Sequence, residues 1–126
     1  MKNRLSIICC MLALLSCSHE PTDLRMHELG IDFQAAFEND QVKLVMGGNE
    51  MLNRTLETND LLGVCTDGGR LSYAMPEGEH SMTVTIDGTS KTETVLLNRS
   101  QFIGINYDRQ THEITFQHSD EPFRYD

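Results

Sequence analysis

The stretch MPEGEHSMTVTIDG, residues 75–88, reads as one β-strand framed by two turns. Met82, Val84 and Ile86 alternate with Ser81, Thr83, Thr85 and Asp87. Successive side chains of a strand point to opposite faces, so this alternation gives one apolar face and one threonine-rich face, the pattern of a half-buried strand. PEG at 76–78 and DGTS at 87–90 supply the turns, because Pro presets φ while Gly and Asp tolerate left-handed backbone.

The same period runs outward in both directions. IDFQAAF sets Ile31, Phe33, Ala35 and Phe37 on one face, and QVKLVM does so with Val42, Leu44 and Met46. QFIGINY aligns Ile103, Ile105 and Tyr107, and THEITFQH aligns Ile114 and Phe116. Further turn signals fall at 38–40, 47–49, 67–69 and 108–111. That spacing is close to the 8–12 residues typical of a sandwich or barrel. Strands are expected over 30–37, 41–46, 51–58, 70–75, 80–87, 92–97, 101–107 and 112–118, and no helix of ordinary length fits between them. The expectation is an all-β chain, a single antiparallel β-sandwich of seven or eight strands, immunoglobulin-like or transthyretin-like.

Residues 75–88 also resemble the turn–strand–turn segment of transthyretin-like and PEGA-type bacterial β-sandwich modules. Pro76, Gly78 and Gly88 match its turn positions and His80 its strand entry. The resemblance spans fourteen residues and implies a small extracytoplasmic module of the kind used for adhesion, substrate presentation or scaffolding; it carries no activity.

Ahead of the sandwich the chain opens MKNRLSIICCMLALLSC. Lys2 and Arg4 precede an apolar run over 5–15, which is the layout of a secretory signal. A membrane-spanning helix needs about 20 apolar residues, so the run is too short to be one. Leu14-Leu15-Ser16-Cys17 resembles the lipobox of bacterial lipoprotein signal peptides, with an aliphatic residue at −3 and a small one before the cysteine. The resemblance implies diacylglycerol on the Cys17 thiol and cleavage after Ser16. An ordinary secreted protein with a cysteine beside its cleavage site is the other reading. Ser18 stands where an Asp favours inner-membrane retention in enterobacterial lipoproteins, and Glu20 and Asp23 resemble the surface-export signals of Bacteroidetes lipoproteins, so the outer membrane is expected. The expected organisation is a signal peptide over 1–16, lipidated Cys17 with a polar tether to 29, and the sandwich over 30–126.

Charge limits the partners. The chain has 10 basic and 19 acidic residues, and loss of Lys2 and Arg4 with the signal leaves 8 against 19, net −11. Nucleic-acid affinity comes largely from cations that neutralise phosphates, so no nucleic-acid partner is expected. A polybasic grip on anionic lipid is likewise missing. Membrane attachment falls to the acyl chains, at about 0.8 kcal/mol per buried CH₂. Of the cysteines that remain after cleavage, Cys65 sits among apolar residues in LLGVCTDGG, where a buried inert thiol is expected rather than a reactive one. With Cys17 acylated it has no disulfide partner in the chain.

Catalytic and metal motifs are absent. His19-Glu20, His27-Glu28 and His112-Glu113 begin as HExxH does, but Asp23, Ile31 and Phe116 stand where the second histidine belongs. No GxSxG, SxxK, GxxxxGK or EF-hand loop occurs. His80, His112 and His118 fall at strand ends and share the parity of inward apolar residues; they either meet at a rim as metal ligands or bond to loops singly. The acid pairs Glu77 with Glu79 and Asp120 with Glu121 suit a solvated face, and Asp67 and Asp87 are loop positions where a calcium ligand would sit. No cofactor is implied.

Aromatics give the remaining candidates. Phe102 lies opposite the Ile103 face, Tyr73 is a further candidate, and DEPFRYD adds Phe123 and Tyr125 beyond the last strand. Phe102, Phe123 and Tyr125 are candidate ligand-binding residues if exposed; otherwise Phe123 and Tyr125 fold back over the sandwich and close an edge. The sequence therefore leads to a non-enzymatic, lipid-anchored outer-membrane sandwich with a structural or protein-interaction role. The alternative is an accessory lipoprotein that takes a glycan or peptide on a sheet face or loop rim.

Overall fold

Met82, Val84 and Ile86 are fully buried, on the fifth of eight strands. The computed structural model describes residues 25–125. The expected signal peptide and lipidation site at Cys17 lie outside the described residues. In chain order the strands are β1 (Met26–Phe33), β2 (Glu38–Met46), β3 (Asn49–Glu57), β4 (Arg70–Pro76), β5 (Gly78–Ile86), β6 (Thr89–Leu97), β7 (Gln101–Asp108) and β8 (Glu113–Ser119). No helix occurs among the described residues.

They form two four-stranded sheets, sheet A in the order β4-β1-β7-β8 and sheet B in the order β3-β2-β5-β6. Every neighbouring pair is antiparallel except β1 with β7, which run parallel. The fully antiparallel sandwich expected from the sequence is corrected at that one pair. A parallel pair needs a long crossover, and here the whole of β2 to β6 supplies it.

The sheets meet over a single core. Leu29, Ile31, Phe33, Ile103 and Ile105 of sheet A face Val42, Leu44, Met46, Met82, Val84 and Ile86 of sheet B. Burying each of these side chains contributes about 1.5–3 kcal/mol. β5 and β6 join through Asp87 and Gly88, with φ 46° and 86°. Two successive left-handed residues match the twist of a tight hairpin, which is why an Asp-Gly pair stands there. The two free sides are bridged between sheets. On one, Lys91 Nζ donates to the Ile114 carbonyl at 2.9 Å and lies 5.2 Å from the Phe116 ring centroid. On the other, Tyr73 Oη donates to the Met51 carbonyl at 3.4 Å.

Strand β1 departs from its expected bounds at both ends. It begins at Met26, inside the stretch assigned to the tether, because backbone pairing with β4 continues to Met26 opposite Pro76. It ends at Phe33 rather than at residue 37, because the chain crosses there from sheet A to sheet B. Phe33 and Phe37, on either side of the crossing, both enter the core with their rings edge to face, centroids 5.7 Å apart. Within the crossing, the Gln34 and Ala36 amides still donate to the Ile105 and Tyr107 carbonyls at 2.8 and 3.1 Å.

Strands β1 and β7 are buried on both faces: residues 29–33 of β1 and 102–105 of β7 are all buried. One face is the core. The other is covered by the segment that follows β8.

Candidate functional site

The outer face of sheet A is built from the residues of β1 and β7 that alternate with the core: Gly30, Asp32 and then Gln34 on one side, Phe102, Gly104 and Asn106 on the other. Gly30 stands opposite Phe102 and Gly104 opposite Asp32 in the parallel register. A Cβ at Gly30 would collide with the Phe102 ring, and one at Gly104 with the Gln34 amide. A glycine inside a strand often marks such a close approach. Here the two glycines let an aromatic ring and an amide lie flat on the sheet.

Residues 120–125 run back over this floor as a strap. Pro122 and Phe123 line a groove of about 210 Å³ together with Glu28, Arg70, Ser72 and Phe102. Beyond them the Tyr125 hydroxyl donates to Asp32 Oδ2 at 2.8 Å and accepts from Gln34 Nε2 at 2.8 Å. The chain of bonds continues: Asn106 Nδ2 donates to Gln34 Oε1 at 2.9 Å, and the Ala35 amide donates to Asn106 Oδ1 at 3.0 Å. Arg70 holds Asp32 from the other side at 3.5 Å, and its guanidinium lies 5.1 Å from the Tyr125 ring centroid. Asp32 and Gln34 are each only 8% exposed, and among the described residues no buried side-chain polar atom lacks a partner. Burial against the sheet pushes the Tyr125 phenol up to about 12; the Gln34 donor opposes the rise and the Asp32 carboxylate adds to it.

The three aromatics singled out in the sequence are therefore brought together, with different roles. Phe102 is buried at 9% exposure and forms the floor, while Phe123 and Tyr125 are half-buried in the strap. The strap crosses a sheet face rather than closing an edge. Sequence reasoning missed Asp32, Gln34, Arg70 and Asn106. The signal for them was the pair of mid-strand glycines beside polar residues of outward parity.

A second cluster sits where β1 crosses to β2. Asn39 adopts φ 57° at a bulge between β2 and β3, which turns Asp40 inward to 2% exposure. Arg109, in the turn between β7 and β8, donates through Nη1 to both Asp40 oxygens at 2.7 and 2.6 Å, and the Glu38 amide donates to Oδ2 at 2.9 Å. Burial works to raise the Asp40 carboxyl, but hydrogen bonds involving Asp87, the Glu38 amide and Arg109 hold it below the usual carboxylate range. The Asp87 carboxyl moves the opposite way, chiefly through the hydrogen bond it shares with Asp40.

The histidines do not converge. His80 Nε2 lies 2.6 Å from the Pro76 carbonyl, His112 Nδ1 3.0 Å from the Tyr107 hydroxyl, and His118 Nε2 3.0 Å from Glu93 Oε2. His112 belongs to the β7–β8 turn, with φ 58°, and His118 is exposed despite sharing parity with Ile114. Among the described residues no three His, Cys, Asp or Glu side chains gather as metal ligands. Asp67 pairs loosely with Arg54 at 3.7 Å, and Asp87 accepts from the Gln41 amide at 2.9 Å. Cys65 is fully buried; burial, then the negative charges of Asp40 and Glu57, push its thiol up against the lowering bond from Thr58. Its backbone amide donates to the Phe33 carbonyl at 2.7 Å, tying the β3–β4 loop to β1.

The fold is thus an all-β chain of two facing sheets with one face strapped by its own following segment. No protein-family model, curated protein or solved structure matches this chain.

Proposed function

We propose that this chain is a lipid-anchored extracytoplasmic β-sandwich of the outer membrane with a structural or protein-interaction role. The observation that carries the reading is the position of β1, which starts nine residues after Cys17. A chain of eight intervening residues spans on the order of 30 Å at most. Acyl chains on Cys17 would hold the sandwich against the bilayer, Met26 end first, and direct the β3–β4 loop away from it. That loop carries Leu61, 92% exposed, and Leu62 beside it, steadied by the Asn59 side chain, which accepts from both of their amides. In cells fed a fatty-acid analogue, the wild-type chain is expected to be labelled and Cys17→Ser to stay dark; equal labelling of the two would remove the anchor.

Within the sandwich class, the transthyretin-like form is the better supported. Immunoglobulin constant domains keep their first two strands in one sheet. Here β1 and β2 lie in opposite sheets.

A second reading, accessory binding of a glycan or peptide, is favoured by the groove between the strap and β4, where Phe102 and Phe123 meet Glu28, Arg70 and Ser72. Titration with oligosaccharides and short peptides, followed by amide chemical shifts, tests it. Shifts confined to these residues support binding, and an unchanged spectrum rejects it.

A further inference from the structure

We propose that the strap is exchangeable between copies of this chain: residues 120–125 of one molecule fill the groove on sheet A of a second, with Tyr125 of the partner subunit set between Asp32 and Gln34. Each copy then completes a site on the other, and the site is incomplete without a strap from somewhere. This deepens the interaction role proposed above by naming the partner, and it draws on that reading only for the proximity that a shared membrane provides.

Three observations carry it. The first is how the strap is held. Among the described residues it makes no backbone–backbone hydrogen bond to the sheet. Its attachments are the Tyr125 hydroxyl, the Arg70–Tyr125 contact, the rings of Pro122 and Phe123 in the groove, and an ion pair of Asp120 with Arg99 at 2.9 Å. Side-chain contacts of this kind form equally well whichever chain supplies the strap. A segment without ladder bonds also opens at low cost compared with the strands beneath it.

The second is the hinge. Only Asp120 and Glu121 separate the end of β8 from Pro122. Ser119 Oγ donates to the Glu121 carbonyl at 2.7 Å and accepts from its amide at 3.1 Å, which holds these residues in a tight local turn. Short, tightly turned hinges favour exchange of the element they carry, because the extended form relieves the turn while every other contact is kept.

The third is that the groove is built for this occupant. Gly30 lets the Phe102 ring lie flat as an apolar base, Gly104 makes room for the Gln34 amide, and Asp32 and Gln34 present one acceptor and one donor to a single hydroxyl. A phenol that donates once and accepts once fits that pair. The strap in place competes with an effective concentration in the millimolar range. Exchange therefore belongs to crowded copies on one surface rather than to dilute solution.

Complementation between two unlike copies tests the proposal, using the lipid-anchored chain in detergent. An acceptor copy ends at Ser119 and has an empty groove. A donor copy keeps its strap but carries Ser72→Trp, which places a bulky side chain in its own groove. The expected result is that each alone sediments as a monomer and the mixture as a one-to-one heterodimer, which Tyr125→Ala in the donor abolishes. Two monomer boundaries in the mixture, with both copies retaining sheet spectra, would overturn exchange. If either copy fails to fold, Ser72→Cys in one full-length copy and Pro122→Cys in another replace them. A disulfide between the two copies supports exchange, and a disulfide seen only when both cysteines share one chain refutes it. Neither outcome touches Cys17, so labelling of the anchor is read separately.

Discussion

At the scale of single residues, Tyr125 does the most to decide what sheet A presents. Its hydroxyl satisfies two largely buried polar groups at once, so removing it leaves Asp32 with only the Arg70 ion pair and the Gln34 Nε2 without an acceptor. Tyr125→Phe is expected to cost about 1–3 kcal/mol in urea unfolding at neutral pH. The phenol also sets an alkaline limit. Its folded pKa, raised from 10 to about 12, means that its stabilisation is complete below pH 10 and is lost as pH rises toward 12. The wild type should therefore lose stability across that window while the Phe variant falls more gently; parallel curves would show that the phenol is not what titrates. The sequence disclosed only part of this site. Phe102 was legible, because an aromatic beside Ile103 must point to the opposite face of a strand. Asp32 and Gln34 were not, since a polar residue of outward parity reads as solvated until something is known to lie over it.

At the scale of elements, the bulge at the start of β2 couples three segments distant in sequence. It turns Asp40 inward, Arg109 reaches it from the β7–β8 turn, and Asp87 approaches from the β5–β6 hairpin. A carboxylate held below its ordinary pKa contributes stability that is present above that value, 3.8, and is lost as pH falls through the lower folded one. Asp40→Asn should unfold more readily at neutral pH and show a shallower loss on acidification than the wild type. Thermal melts from pH 7 to pH 2 check both, and an acid limb as steep as that of the wild type would assign the acid loss to other carboxylates. Strand boundaries were least legible where pairing rather than pattern determines them. MHEL holds no clear alternation, yet it is strand because the backbone of β4 lies beside it. In IDFQAAF the alternation is real but spans two sheets, so the pattern alone could not show where the strand stops.

At the scale of the molecule, five strands were legible as apolar runs of period two bounded by turns of recognisable chemistry, as in MTVTIDG, and the spacing of the turns marked out the other three. Their order was not legible. Val84 and Ile105 carry the same local signature, and nothing in either says which strand will lie next to it or in which direction. The parallel match of β1 to β7 is a property of the completed sandwich, settled when residues more than seventy positions apart join one sheet.

That pairing has a mechanical consequence. A pull entering the fold at Arg25 is delivered along the length of β1, which is clasped by β4 on one side and β7 on the other. The ladder bonds on both flanks lie across the line of force, so they share the load and must fail together rather than unzip one at a time. The strap lies over the same strand. A tug on Arg25 would thus load both ladders of β1 in shear.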